Sequence, residues 1–218
     1  MTCLLTMSSF DLPTHSVSGL LLRYIAPRVE PFQLYGPLAR RPFFSAIAPS
    51  SDIIIGSGHG SANIYSAEGE NVIWQAGQNY GNEIKDKVIK LVSCDTGSEL
   101  GPDLVKNGCL CYMGFDADLI FIADDSYFGK PWNDPYSYAC LSPVISGLQV
   151  LLDGQTCGES MAIEKEGFLQ NAEQSADFPL LQSSIEFNMQ HSILIGNPDA
   201  TIKPRPRISL PAPPPLLI

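Results

Sequence analysis

The sequence has little positive charge and no long apolar run. Its 218 residues include 13 Lys and Arg against 23 Asp and Glu, for a net charge of −10. Because phosphate contacts need a basic surface, this balance argues against a nucleic-acid binder. No stretch approaches transmembrane length, and the first ten residues lack the basic start and apolar core of a signal peptide. We therefore expect a globular cytoplasmic protein without a membrane partner.

The cysteines lack the spacing of a zinc site, so we expect no metal. Cys109 and Cys111 would point to opposite faces of a strand, which separates them as ligands. We expect free thiols rather than disulfides, because several of the six lie in apolar, strand-like contexts. A cofactor is not expected either, since the glycine-rich stretch 56–60 has neither the Lys nor the third glycine of a phosphate loop.

Composition divides the chain into three parts. Residues 1–50 form an abbreviated, proline-rich N-terminal segment, which is part of the fold or an extension of it; within it, the apolar run 19–25 suggests a strand. Residues 51–202 have the alternating pattern of an α/β domain. Residues 203–218 form a proline-rich tail, which we expect to pack little.

Two apolar runs in the central part each lead into a turn that carries one reactive side chain. Residues 53–55 precede His59, and residues 87–92 precede Cys94. Short β-branched runs of this kind predict neighbouring buried strands of a parallel sheet. Ligands of such sheets bind at the carboxyl ends of the strands, where a thiol beside an imidazole can perform nucleophilic catalysis.

Further elements follow in α/β order. We predict a short hairpin or a loop with strand edges within residues 62–74, a helix over 98–107, a strand over 109–115, a loop over 123–138, a helix over 142–152 and a last strand over 192–196. A longer helix should open at Thr156 and Cys157 and end near Gln174, with Thr156 as its cap, because Thr156 and Glu159 have the spacing of a capping box.

Taken together, these motifs resemble the caspase-like cysteine peptidases of clan CD, nearest to the gingipain-type peptidases and CHAT domains. The similar parts lie between residues 53 and 202: the strand into His59-Gly60, the strand into Ser93-Cys94 with Thr96-Gly97, the strand 112–115, residues 151–156 before a long helix, and residues 194–198. The chain departs from caspases in reading Ser93-Cys94-Asp95 at the nucleophile and in placing His59 only 35 residues upstream.

The resemblance implies a three-layer α/β/α sandwich with a mostly parallel sheet and the activity of a cysteine endopeptidase. Cys94 would be the nucleophile and His59 the general base and acid, with the backbone N–H groups of Gly60 and Cys94 as the oxyanion hole. A helix starting at residue 98 would favour the Cys94 thiolate. The substrate would be a protein or peptide, and a regulatory protein partner is a further expectation.

The distribution of charge suggests which substrate residue precedes the cleaved bond, the P1 residue. Residues 95–190 contain fifteen acids and three bases, and the arginines that a caspase uses to bind aspartate are missing after Cys94 except in the tail. We therefore expect a basic P1 residue, stacked on Trp132 and paired with Asp116 or Asp118.

Three other interpretations stay open. In the first, the chain is a catalytically inactive caspase-like scaffold that binds a partner. In the second, it is a flavodoxin-like ligand-binding module. In the third, His59 and Cys94 are an ordinary turn residue and an ordinary core residue.

Overall fold

The structure is a computed structural model, and it describes residues 2–29 and 31–202. The predicted proline-rich tail, 203–218, lies outside the described residues. Within them, no helix combines the length and apolar character needed to cross a membrane.

A six-stranded, mostly parallel sheet forms the centre of the protein, as predicted. The strands defined in the described residues are β1 (Cys3–Met7), β2 (Pro31–Tyr35), β3 (Ile53–Ser57), β4 (His59–Ser61), β5 (Ile64–Ser66), β6 (Val72–Gln75), β7 (Val88–Val92), β8 (Cys111–Phe115) and β9 (Ser192–Gly196). The main sheet has the order β2-β1-β3-β7-β8-β9, and only β9 at its edge runs antiparallel to its neighbour. The predicted pairing of β3 with β7 is confirmed.

A small antiparallel sheet of β4, β5 and β6 lies beside the main sheet. The predicted hairpin corresponds to β5 and β6. The additional strand β4 begins at His59, so the candidate histidine lies at the junction between the two sheets.

Helices cover both faces of the main sheet. They are α1 (Leu12–Tyr24), α2 (Arg41–Ile47), α3 (Leu100–Lys106), α4 (Pro135–Leu152), α5 (Cys157–Gln174) and α6 (Pro179–His191). One apolar core joins α1, α4, α5 and α6 to the sheet, and a second joins α2, α3 and the small sheet to its other face. Successive side chains of β3 point to opposite faces of the sheet, so Ile53 and Ile55 pack in the first core and Ile54 packs in the second. Cys109 and Cys111 also lie in different cores, but not for the expected reason: residues two apart in a strand share a face, and Cys109 lies before β8 begins.

The N-terminal residues differ from the prediction. The apolar run 19–25 is not a strand; most of it is the second half of α1. The helix begins at a capping box between Asp11 and Thr14, with Pro13 in its first turn. The backbone N–H groups of a first turn have no partner within the helix, so a proline there removes no hydrogen bond. Its continuous apolar run suits a helix that is buried against both the sheet and α4. The preceding strand β1 was not predicted, and it lies inside the sheet between β2 and β3.

Two other helices begin at different residues from those predicted. Helix α4 begins at Pro135 because the Asp134 side chain accepts a hydrogen bond from the Tyr136 N–H at 3.0 Å, and the loop before it is correspondingly shorter. Helix α3 begins at Leu100 rather than at residue 98. Helix α5 has the predicted bounds and capping box: the Glu159 N–H donates to the Thr156 hydroxyl at 3.1 Å, and the Thr156 N–H donates to Glu159 at 2.8 Å. Helix α6 was not predicted.

A buried ion pair ties β7, the strand that leads to Cys94, to α5. The Lys90 ammonium donates to both carboxylate oxygens of Glu164 at 2.8 and 2.7 Å, and both side chains are 1% exposed. The Ser192 hydroxyl at the start of β9 donates to the same carboxylate at 2.6 Å. The pair therefore links the sheet to one helical layer across an otherwise apolar core.

Candidate active site

The ends of β3 and β7 bring His59 and Cys94 to the same edge of the sheet. Ser57 and Val92 are register partners at the carboxyl ends of these parallel strands. His59 lies two residues after Ser57, and Cys94 lies two residues after Val92. This equal offset on adjacent strands places both side chains in one cleft.

The turn that carries Cys94 is held by hydrogen bonds on both sides. Asp95 has a left-handed φ of 51°, and its N–H donates to the Ala117 carbonyl at 2.8 Å. The Gly97 N–H donates to the Phe115 carbonyl at 2.7 Å. Beneath the turn, the Thr96 hydroxyl contacts the hydroxyls of Ser93 at 3.0 Å and Tyr112 at 2.8 Å. The conformation around Cys94 is therefore fixed before any substrate binds.

Gly60 allows β4 to approach this turn closely. A Cβ atom at residue 60 would lie 2.2 Å from the Cys94 carbonyl oxygen, a distance that no side chain tolerates. The glycine after His59 is thus required for the contact between the histidine strand and the cysteine turn.

Asp11 binds the imidazole of His59, a contact that was not predicted from the sequence. Its carboxylate oxygen Oδ2 lies 2.8 Å from His59 Nε2, with the His59 and Asp11 side chains 40% and 35% exposed. The other oxygen, Oδ1, accepts from the Thr14 N–H at 3.0 Å and from the Thr14 hydroxyl at 2.7 Å. Partial burial raises the pKa of Asp11, but the Thr14 hydrogen bonds and His59 outweigh it and hold this pKa below its usual value. Asp11 is therefore a carboxylate at neutral pH.

Hydrogen bonds also fix the segment that carries Asp11. The Ser18 hydroxyl of α1 donates to the Ser8 carbonyl at 2.6 Å and contacts the Ser57 hydroxyl at 2.6 Å. Glu68 accepts from the Ser9 N–H at 2.7 Å. These bonds join the ends of β1 and β3, so Asp11 and His59 are held on one rigid base.

The cleft beside Cys94 has a volume of about 50 Å³ and lies between α1, the two strand ends and the segment after β8. Its lining comprises Pro13, Thr14, Val17, Gly58, His59, Val92, Ser93, Cys94, Leu119 and Phe121. Asn188 of α6 fixes the segment after β8: its buried amide accepts from the Ile120 N–H at 3.0 Å and donates to the Ile120 carbonyl at 2.6 Å.

The environment of Cys94 favours the neutral thiol. Burial raises its pKa, the backbone N–H of Leu119 opposes this change, and the nearby carboxylates of Asp118 and Asp95 add to it. The expected thiolate at a helix start is wrong in two respects, because α3 begins only at Leu100 and the pKa is raised. A base is therefore needed to activate this thiol at neutral pH.

The residues predicted to bind a basic P1 side chain do not come together. Asp118 lines a wider groove on the outer side of Leu119, which also reaches Cys94. Asp116 contacts His191 Nδ1 at 2.9 Å. Trp132 lies in the turn 131–133 and packs against the core of α1 and α4, and it is not among the residues lining either the cleft or the groove.

Cys94 is half-buried, whereas the other five cysteines are buried. Among residues 2–29 and 31–202, no three His, Cys, Asp or Glu side chains are grouped so as to hold a metal ion. The chemistry that this site offers is that of a thiol, an imidazole and a carboxylate.

Comparison with known proteins supports the fold. No protein-family model matches the chain, and no curated protein matches it in sequence. In structure it is similar to a chain of the complex of the pro- and mature domains of the gingipain RgpB from Porphyromonas gingivalis, with a TM-score of 0.54 and 11% identity. The match covers 93% of this chain and 48% of that chain, so this chain spans about half of its neighbour's length. The protein therefore has a caspase-like α/β/α fold with a mostly parallel central sheet.

Proposed function

We propose that the protein is a cysteine endopeptidase that hydrolyses peptide bonds through Cys94 and His59. The observation that carries the proposal is their meeting in one cleft, at equal offsets from the paired strand ends, with Asp11 on the imidazole. The gingipain-type peptidases that the sequence resembles, and the gingipain neighbour in structure, support the same class of reaction.

In the proposed reaction, His59 first removes the proton from the neutral Cys94 thiol. Because Asp11 engages Nε2, Nδ1 is the nitrogen that takes this proton. The sulfur then attacks the peptide carbonyl carbon, and the backbone N–H groups of Gly60 and Cys94 stabilise the oxyanion. The imidazolium returns its proton to the departing amine, which leaves a thioester on Cys94. A water molecule, deprotonated by His59, hydrolyses the thioester and frees the thiol.

Asp11 acts as a positioning residue in this scheme. Its ionised carboxylate fixes the ring orientation and the tautomer of His59, and it stabilises the imidazolium that forms during the attack. The His59 and Asp11 side chains are both more than one third exposed, so solvent weakens the ion pair. Most of the effect of Asp11 therefore comes from orienting the imidazole.

The raised pKa of Cys94 favours a second candidate, a catalytically inactive caspase-like scaffold that binds a partner. The solved neighbour is a complex between a pro-domain and a mature domain, so a protein that covers or completes the cleft is a reasonable regulatory partner for either candidate.

Peptide hydrolysis separates the two candidates. The purified chain is incubated with a proteome-derived peptide library, and the new termini are identified by mass spectrometry. The peptidase predicts a shared set of new termini that disappears in both Cys94→Ala and His59→Ala, whereas Cys109→Ala, a change at a buried thiol outside the cleft, retains it. The scaffold predicts no new termini for any of the four proteins.

A further inference from the structure

We infer that the cleft beside Cys94 is the P1 subsite and that it selects an uncharged, apolar side chain. The inference rests on the proposed peptidase function and replaces the basic P1 residue expected from the sequence. It follows from the position of the cleft, the composition of its walls and the residues that lie behind it.

Position identifies what the cleft binds. A carbonyl carbon attacked by Cys94 must come within about 3.5 Å of the sulfur, and the P1 side chain branches from the adjacent carbon. That side chain therefore lies next to Cys94. The cleft is bounded by both Cys94 and His59, whereas the wider groove with Asp118 is bounded by Cys94 without the histidine. The cleft thus receives P1, and the groove receives flanking residues.

The side chains that line the cleft are mostly apolar. Pro13, Val17, Val92, Leu119 and Phe121 supply its apolar side chains. Apart from the dyad itself, no ionisable side chain is among the residues that line it. A Lys, Arg, Asp or Glu side chain entering the cleft would lose hydration without meeting an ionic partner among the other lining residues.

The polar side chains of the lining are already hydrogen-bonded. The Thr14 hydroxyl contacts Asp11 Oδ1 at 2.7 Å, and the Ser93 hydroxyl contacts the Thr96 hydroxyl at 3.0 Å. Neither is free to bind the head group of a polar P1 side chain without breaking a bond that holds the site together.

Apolar side chains continue behind the cleft. Val17 and Val92 separate it from a second, very small void of about 10 Å³, whose further walls are leucine, isoleucine and valine side chains of α1 and α4. The inner wall of the P1 subsite is thus two valines that are backed by other aliphatic side chains. This arrangement suits a branched aliphatic or aromatic side chain such as Leu, Met or Phe.

Kinetics on matched substrates test the inference. Fluorogenic peptides with identical flanking residues and different P1 residues are compared by kcat/KM. We expect Leu, Met and Phe to exceed Ala by roughly tenfold or more, since each buried methylene contributes to selection. Arg, Lys and Asp should rank below Ala. A preference for Arg, Lys or Asp would overturn the inference.

Substitutions at Val17 test the position of the subsite. Val17 is 6% exposed and lines both cavities. Val17→Leu should lower kcat/KM for Phe more than for Ala, and Val17→Ala should shift the preference towards larger side chains. Val105→Leu, a change on α3 away from the cleft, should leave the ranking unchanged. The same ranking in all three variants would show that P1 binds elsewhere and would overturn the inference.

Binding without chemistry separates failure of the inference from failure of the proposed function. The same peptides are titrated calorimetrically into Cys94→Ala, which cannot cleave them. Tighter binding of Leu or Phe peptides to Cys94→Ala, combined with no cleavage by the wild type, supports the apolar subsite and refutes the peptidase. Cleavage by the wild type with a basic or acidic preference refutes the subsite and supports the peptidase. If neither binding nor cleavage is observed, both the subsite and the peptidase are refuted.

Discussion

Removing one partner of the buried Lys90–Glu164 pair should destabilise the protein strongly. In Lys90→Met, the Glu164 carboxylate, 1% exposed, retains only the Ser192 hydroxyl of the contacts described above. Breaking such a pair costs about 3–5 kcal/mol, because an uncompensated charge stays buried. At roughly 2–4 °C per kcal/mol for a chain of this size, the midpoint of thermal unfolding should fall by about 6–20 °C.

Thermal and urea unfolding, followed by circular dichroism, measure this loss. The double variant Lys90→Met with Glu164→Leu should recover most of it, retaining a cost of about 1 kcal/mol because Ser192 loses its acceptor. The control is Arg41→Met, which breaks a pair with Glu83 at 2.7 Å. The arginine is 35% exposed, and the Glu83 carboxylate, 9% exposed, retains the indole N–H of Trp74 at 3.0 Å, so the cost should be only about 1–2 kcal/mol. Equal losses in Lys90→Met and Arg41→Met, or a double variant as unstable as the sum of the singles, would refute this reasoning.

Three further predictions concern the site itself. Asp11→Asn should lower kcat/KM by roughly 10²-fold or more with little change in KM, because His59 loses its orienting carboxylate. Iodoacetamide should modify Cys94 selectively, at a rate that keeps rising above pH 9.0 because its pKa is raised, and Asp118→Asn should move this profile to lower pH. Gly60→Ala should cost about 1–3 kcal/mol of stability and abolish hydrolysis, since the new Cβ collides with the Cys94 carbonyl.

Each of these three has a control and a contrary outcome. Asp125→Asn removes an exposed carboxylate that does not line the cleft or shift the pKa of Cys94, so it should leave both kcat/KM and the alkylation profile unchanged. Gly129→Ala, where the new Cβ meets nothing within 4 Å, should leave stability unchanged. Unaltered kcat/KM in Asp11→Asn would contradict the positioning role of Asp11. An alkylation profile of Cys94 with a midpoint below pH 9.0 would contradict its raised pKa. Full activity in Gly60→Ala would contradict the need for a glycine after His59.

The central strands and the cleft were accessible from sequence because their signals are local. Residues 53–55 and 88–92 are short, β-branched runs that end at small residues, and such runs suit a sheet buried on both faces. The register that aligns Ser57 with Val92 then follows from pairing the two runs. The capping box of α5 is also a local signal, and both its residues and the helix that it starts were predicted correctly.

The N-terminal contribution was missed because its signals conflict. The apolar run in α1 lacks a helical period, since the helix is buried on most of its surface, and the prolines that follow suggested an irregular segment. The combination Asp11-x-Pro13-Thr14 is a helix-start signal, and it would have placed Asp11 at the start of α1. Its contact with His59 spans 48 residues and depends on the position of β1 beside β3, which no local pattern specifies.

Covalent labelling tests the central claim, that Cys94 and His59 form a working nucleophile and base. A peptidyl acyloxymethyl ketone with leucine at P1 is added to the wild type, Cys94→Ala, His59→Ala and Cys140→Ala, and intact mass and peptide mapping locate the adduct. The account predicts one adduct on Cys94 in the wild type and in Cys140→Ala, none in Cys94→Ala, and much slower labelling in His59→Ala. An unmodified Cys94 in the wild type, or labelling that is as fast without His59, would contradict it.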